Sequence, residues 1–95
     1  MLVKVQYLGL IRSKLEKNGD EVKLRNGAML SELLDKLAET YGESLKKLFD
    51  IHAENILDPT FIVTVNGVLA NQLQGMNTTL SDGDSVALMT LISGG

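Results

Sequence analysis

The spacing of apolar residues changes twice along the chain, and that change limits what the chain can fold into. In "MLVKVQYL" it is two: Val3, Val5 and Tyr7 share one side, Lys4 and Gln6 the other, as in a strand with one buried face. In "LSELLDKLAETYG" the apolar residues are Leu30, Leu33, Leu34, Leu37, Ala38 and Tyr41. That spacing gathers them into one stripe of an α-helix. Further on, "FIVTV" and "SVALMTLI" return to strand character. One helical stripe and several half-apolar strands, in a chain of 95 residues, bury one another when the helix lies across one face of a single sheet.

The remaining segments fill in an order. "RSKLEKNGDE" reads as a polar connection with a turn signal at Asn18-Gly19, and "EVKLRNG" as a strand running back antiparallel. The main helix has Gly42 placed to end it. Its start is poorly signed: Ser31 lacks a Glu or Gln three residues on, and Met29 is not a capping residue type. Leu45, Leu48 and Phe49 suggest a short second helix before a loop closed at Asp58-Pro59. Phe61, Val63 and Val65 form the inward side of a third strand that turns at Asn66-Gly67. A short edge strand and turns at Gly75 and Asp82-Gly83 lead to the last strand, which is apolar on both faces and therefore central. The expected architecture is α+β: a mixed four- to five-stranded sheet, one main helix on one face and a short second helix. Residues 1–91 form the domain and 92–95 a flexible tail.

Composition narrows the function. With 44% hydrophobic and 22% charged residues the chain can build its own core. A net charge of −3 speaks against a nucleic-acid surface. Zero cysteines remove disulfides, thiolate metal sites and a cysteine nucleophile together. The N-terminal stretch alternates and carries early charge, unlike a signal peptide or membrane span. These readings point to a cytoplasmic protein with neither nucleic-acid nor membrane partners.

Three short motifs carry a resemblance. Val65-Asn66-Gly67, then Leu80-Ser81-Asp82-Gly83-Asp84-Ser85-Val86-Ala87-Leu88, then Ser93-Gly94-Gly95 follow one another in this order. The chain resembles the ubiquitin-like β-grasp sulfur carriers, most closely the type of the molybdopterin synthase small subunit. The thiamine-pathway carrier and the archaeal modifiers are cousins. Two differences from that type stand out. The stretch from Glu43 to Pro59 is longer than in the smallest members, and Thr90-Leu91-Ile92-Ser93 replaces the usual prolines and alanine before the glycines.

The resemblance implies a chemistry for Gly95. An E1-like activating enzyme would consume ATP to adenylate the Gly95 carboxylate, and a sulfur donor would displace AMP to leave a thiocarboxylate. The sulfur would then pass, within a complex with the large catalytic subunit of molybdopterin synthase, into molybdenum or tungsten cofactor. The same activated carbonyl could instead acylate a lysine, making the chain a protein modifier, or supply sulfur for thiamine or tRNA thiolation. A β-grasp interaction module with an incidental ending is the third possibility. In the first two the chain is a carrier and substrate, not an enzyme, and holds no cofactor permanently. Glycine at both final positions suits a carbonyl that must thread a channel, because a Cβ would obstruct it. Ile92, Ser93, Gly94 and Gly95, fully extended, span about 13 Å. Strand alternation places Leu2, Ile62, Ala87, Met89 and Leu91 on the sheet face away from the helix, an apolar patch suited to a partner.

Other candidates carry less. His52, the sole histidine, beside Asp50 and Glu54 does not make a metal site and reads as a loop residue. Asp35, Glu39 and Glu43 lie on the polar side of the helix, where solvation is the ordinary role. No serine has a histidine–acid pairing in view, and the glycine turns lack the Lys-Ser/Thr of a phosphate loop.

Overall fold

The structure, a computed structural model, describes residues 1–42 and 61–90. Strand β1 (Leu2–Gly9) runs into a short helix α1 (Leu10–Leu15), and β2 (Gly19–Lys23) returns beside β1. Helix α2 (Leu30–Tyr41) follows, then β3 (Phe61–Val65), β4 (Val68–Leu69), two 3₁₀ turns and β5 (Ser85–Thr90). The strands form one mixed sheet in the order β2-β1-β5-β3-β4. β1 and β5 lie parallel at its centre, while β2, and β3 on the other side, run antiparallel to their neighbours. The strand that is apolar on both faces is thus the central one, flanked by β1 and β3, with Val86 and Leu88 buried and Ala87 and Met89 half-buried on the other face.

The two hydrophobic periods meet in one core. Val3, Val5 and Tyr7 from β1, Val63 and Val65 from β3, and Val86 and Leu88 from β5 are buried together with Leu30, Leu33, Leu34 and Leu37 of α2. Ile11, fully buried, brings α1 into the same cluster. Gly42 takes a φ of 89° at the end of α2, and its N–H donates to the Ala38 carbonyl.

Three expectations are corrected here. The polar connection after β1 contains a helical turn, because Ile11 finds a place in the core and holds it there; Glu16, at φ 55°, ψ 36°, then reverses the chain. Asn18-Gly19 is therefore not the hairpin turn, and Gly19 already pairs with Gln6 in β2. A Cβ on Gly19 would stand 2.4 Å from the Val5 carbonyl oxygen, so the residue is glycine for close backbone approach. The start of α2 is signed after all, two residues earlier than Ser31. Met29 is the N-cap, and the carboxylate of Glu32 accepts from its N–H at 2.8 Å. Glu32 lies three residues after Met29, so the Glu half of a capping box works without a Ser or Thr half. The expected second helix around Leu45–Phe49 lies outside the described residues, as do His52 and the rest of that stretch.

Candidate functional site

The two internal motifs meet at the start of β5. Asn66 and Gly67 have φ of 52° and 84°, the left-handed pair of a tight hairpin turn between β3 and β4. The Asn66 amide donates to Asp84 Oδ1 at 2.9 Å, and its Oδ1 accepts from the Ser85 N–H at 2.9 Å. Asp84 Oδ2 accepts from the Ser81 N–H at 2.7 Å, which folds "SDGD" onto itself. Asp82 Oδ1 accepts from the Leu2 N–H at 2.7 Å, tying the same turn to β1. Leu80, 2% exposed, anchors the turn from below. The motifs are therefore a clamp: they fix the register of β5 between β1 and β3. None of their side chains is placed for catalysis.

From that clamp β5 runs to Thr90, beyond which Leu91, Ile92, Ser93, Gly94 and Gly95 lie outside the described residues. Thr90 is 1% exposed, and its Oγ1 has no hydrogen-bond partner among the described residues. Opposite it stands Gly9, φ 64°, where a Cβ would come within 2.5 Å of the Thr90 carbonyl oxygen and 3.3 Å of Met89 Cγ. The end of the central strand is thus closely fitted at Thr90.

The outer sheet face is built as alternation requires, with one correction and two additions. Met89 is flanked by Leu8 on β1 and Ile62 on β3, and Ala87 by Gln6 and Thr64. Leu69, paired with Thr64 and 39% exposed, extends the patch across the sheet. Leu8 and Leu69 belong to it although the sequence reading passed over them; Leu8 simply continues the Lys4–Gln6 side of β1. Leu2 does not join them. It is on the same face and exposed, but six residues before Leu8, about 20 Å along the strand. The row of Lys4 and Ser85 lies between, and Leu2 belongs to the clamp end. The outer face therefore carries Ile62, Ala87 and Met89 with Leu8 and Leu69, all exposed or half-buried.

A second polar centre was not anticipated. The Tyr7 hydroxyl, on a fully buried side chain, donates to Asp20 Oδ2 at 2.8 Å, and the Tyr41 hydroxyl donates to the same oxygen. Lys17 Nζ donates to Asp20 Oδ1 at 2.8 Å and to the Tyr41 hydroxyl at 3.0 Å. The two rings meet edge to face at 6.4 Å. Burial, and then the Asp20 carboxylate, push the Tyr7 phenol far above its ordinary value. Burial pushes the Asp20 carboxyl up, but hydrogen bonds from Lys17, Tyr41 and Tyr7 outweigh it and hold the group below its ordinary value. The Asp20 hydrogen bond, then that of Tyr41, raise the Lys17 ammonium. This network fastens the end of α2 to β1 and β2. A buried tyrosine in an alternating strand was legible, but its acceptor, 13 residues on, was not.

Among the described residues no group of three or more His, Asp or Glu is placed to hold a metal, and no helix is long and apolar enough to cross a membrane. Asp35 and Glu39 are exposed, as expected of a solvated helix face.

A mixed sheet of this order, grasping one long helix with a central parallel pair, defines the ubiquitin-like β-grasp class. Structural comparison agrees. The chain is 24% identical to Urm1 from Trypanosoma brucei, with a TM-score of 0.78 over 99% of this chain and 95% of that one. It is 19% identical to small archaeal modifier protein 1 from Methanosarcina acetivorans, with a TM-score of 0.72 over 99% and 96%. It is 26% identical to a chain in the complex of subunits 1 and 2 of molybdopterin-converting factor from Helicobacter pylori, with a TM-score of 0.62 over the whole of both. No curated protein sequence matches. Residues 5–95 match the ThiS family, and the chain belongs to that family of β-grasp sulfur carriers.

Proposed function

We propose that the chain carries sulfur on its C-terminal carboxylate for molybdenum or tungsten cofactor synthesis. The observation that carries this is the family match over residues 5–95, which reaches Gly95 itself. The Gly95 carboxylate oxygen attacks the α-phosphorus of ATP on an E1-like activating enzyme, and pyrophosphate leaves. Sulfur from a donor then attacks the acyl carbon, and AMP leaves with the C–O bonding pair. The product is a thiocarboxylate, and the acceptor enzyme takes its sulfur. The absence of any cysteine fits this chemistry, in which the sulfur does not ride on a side-chain thiol.

The body of the protein does the recognition. The clamp at Asn66, Asp82 and Asp84 holds β5 in place, and the apolar outer face of Ile62, Met89, Leu8 and Leu69 offers a docking surface beside it. The complex of the two Helicobacter subunits supports a large catalytic subunit as partner. Docking of the body then offsets the entropy of ordering a glycine-ended tail.

The likeness to an archaeal protein named as a modifier favours a second reading, in which a lysine amine rather than sulfur attacks the same adenylate. Intact-mass measurement after incubation with ATP, a sulfur donor and the activating enzyme separates them. The carrier reading expects a gain equal to exchanging one oxygen for one sulfur, lost on deletion of Gly95. Gly95-dependent conjugates with no thiocarboxylate pool would support the modifier. An adenylate formed equally well without Gly95 would sink both.

A further inference from the structure

The dipeptide Asn-Gly occurs at Asn18-Gly19, Asn26-Gly27 and Asn66-Gly67, and all three asparagines are exposed. The pair has a chemistry of its own, because glycine has no Cβ to keep its backbone nitrogen from the asparagine side chain before it. That nitrogen, once it gives up its proton, can attack the side-chain carbonyl carbon and expel ammonia. The step is intramolecular, so its rate follows how freely nitrogen and Cγ are brought together. The fold restrains two of the pairs, each differently, and leaves the third alone.

At Asn66 the restraint is on the side chain. Its amide nitrogen donates to Asp84 Oδ1 at 2.9 Å and its Oδ1 accepts from the Ser85 N–H at 2.9 Å. Both ends of the amide are held toward β5, and Cγ swings back to the Gly67 nitrogen only when they break. At Asn18 the restraint is on the backbone. The Asn18 carbonyl accepts from the Tyr7 N–H at 2.8 Å, and Gly19 pairs with Gln6. Gly19 lies so close to β1 that a Cβ would stand 2.4 Å from the Val5 carbonyl oxygen. Turning that peptide toward the Asn18 side chain would pull Gly19 out of β2.

Asn26 has neither restraint. With Gly27 it forms the middle of an exposed turn, closed by the Ala28 N–H on the Arg25 carbonyl at 3.2 Å. Gly27, at φ 82°, stands in open space, with only Arg25 Nη1 within 4 Å of where a Cβ would be. That same Nη1 donates to the Asn26 carbonyl at 3.4 Å. When the Gly27 nitrogen loses its proton, the charge spreads onto this carbonyl oxygen, and the guanidinium favours the charged form.

We propose that Asn26 is the chain's site of spontaneous deamidation, and that the clamp and the β1–β2 pairing spare the other two pairs. The Gly27 nitrogen gives its proton to solvent base and attacks Asn26 Cγ. A new C–N bond forms, and the side-chain nitrogen leaves as ammonia with the electron pair of the bond that breaks and a proton from water. Water then opens the five-membered imide at either carbonyl, giving aspartate or isoaspartate. Either product replaces one neutral amide by one carboxylate, taking the formal charge from −3 to −4. The new carboxylate stands beside Arg25 in competition with Glu32, whose Oε2 also accepts from the Met29 N–H at the start of α2. Isoaspartate also adds a methylene to the backbone just before Ala28, which is fully buried and whose carbonyl accepts from the Leu80 N–H at 2.8 Å. A change at an exposed turn thus reaches the residue that anchors the clamp.

The test follows each pair in the full chain, folded and in guanidinium chloride, during incubation in mildly alkaline buffer. Peptide mapping by mass spectrometry, with fragmentation that separates aspartate from isoaspartate, gives the three rates. In the folded chain Asn26 should convert at least about tenfold faster than Asn18 or Asn66, the factor that two hydrogen bonds impose. In guanidinium chloride the three rates should draw together, since the dipeptide is the same. Asp84→Ala should speed Asn66 about fivefold and leave Asn26 unchanged. No conversion at Asn26, Asn18 or Asn66 keeping pace with it in the folded chain, a spread that persists in denaturant, or an Asn66 rate unmoved by Asp84→Ala would overturn the proposal.

Discussion

Removing the acceptor at the Tyr7–Asp20 contact should hurt more than removing the donor, and the second change should partly repair the first. Tyr7→Phe deletes one hydroxyl from a fully buried ring and leaves Asp20 with Lys17 and Tyr41. That costs about 0.5–1.5 kcal/mol, the net worth of one hydrogen bond. Asp20→Ala strands the Tyr7 hydroxyl in the core at a penalty of about 1–3 kcal/mol. It also removes the partner of the exposed Lys17 ammonium, which adds little. The expected total is about 1–3 kcal/mol, or roughly 5–20 °C in Tm for a domain of this size. In the Asp20→Ala background the Tyr7 hydroxyl has lost its acceptor, so adding Tyr7→Phe should recover about 1 kcal/mol. Urea unfolding of the four proteins at neutral pH measures the cycle. If Tyr7→Phe destabilises the Asp20→Ala protein as much as it does the parent, Tyr7 has another partner and the account of the network is wrong.

The same network sets the pH response. Asp20 and Glu32 both sit below their ordinary values, so their contribution is whole above about pH 4 and is lost as pH falls through the lowered values. Urea midpoints between pH 5 and 2 should fall, and less steeply in Asp20→Asn. Tyr7 acts at the other end: its raised phenol favours the neutral folded form, so stability should decline as pH climbs above 10, an effect Tyr7→Phe should remove. Gly9→Ala should cost more than Gly67→Ala by thermal melting. Both have positive φ, about 1–2 kcal/mol each, but only Gly9 meets a backbone oxygen, at 2.5 Å, while Gly67 has nothing within 4 Å. Met89→Asp should leave Tm within a few degrees, because the side chain is half-exposed, yet weaken capture by the activating enzyme or large subunit at least tenfold. Unchanged binding would remove the outer face from the docking surface.

Much of this was legible because it is periodic. Alternation in β1, β3 and β5 and the helical stripe from Leu30 to Tyr41 report which side of each element meets the core, and the core uses those sides. Asn66-Gly67 read correctly as a turn since only a residue pair tolerant of positive φ makes one so tight. The outer face was half legible. Alternation named Ile62, Ala87 and Met89, but it cannot say which strand lies beside which. Leu69 was therefore passed over, and so was the place of Met89 opposite Leu8 rather than near Leu2, although alternation along β1 does put Leu8 on that face.

The sequence by itself determined the elements with strong period, the inward residues of each, the exclusion of thiol chemistry and, through its motifs, the family. Those are local properties: they follow from how side chains project along a helix or strand and from which residues are present. Tertiary structure alone decided that β1 lies parallel to β5, that Ile11 draws a polar connection into a helix, and that Asn66 and Asp84 clamp together across 18 residues. It also decided that Tyr7 finds Asp20, and that β2 is the edge strand of the described sheet, its Lys23 carbonyl bonded by Lys36. Each of these depends on pairing between segments remote in sequence, where the reward is burial and hydrogen bonding made only after the chain has closed on itself.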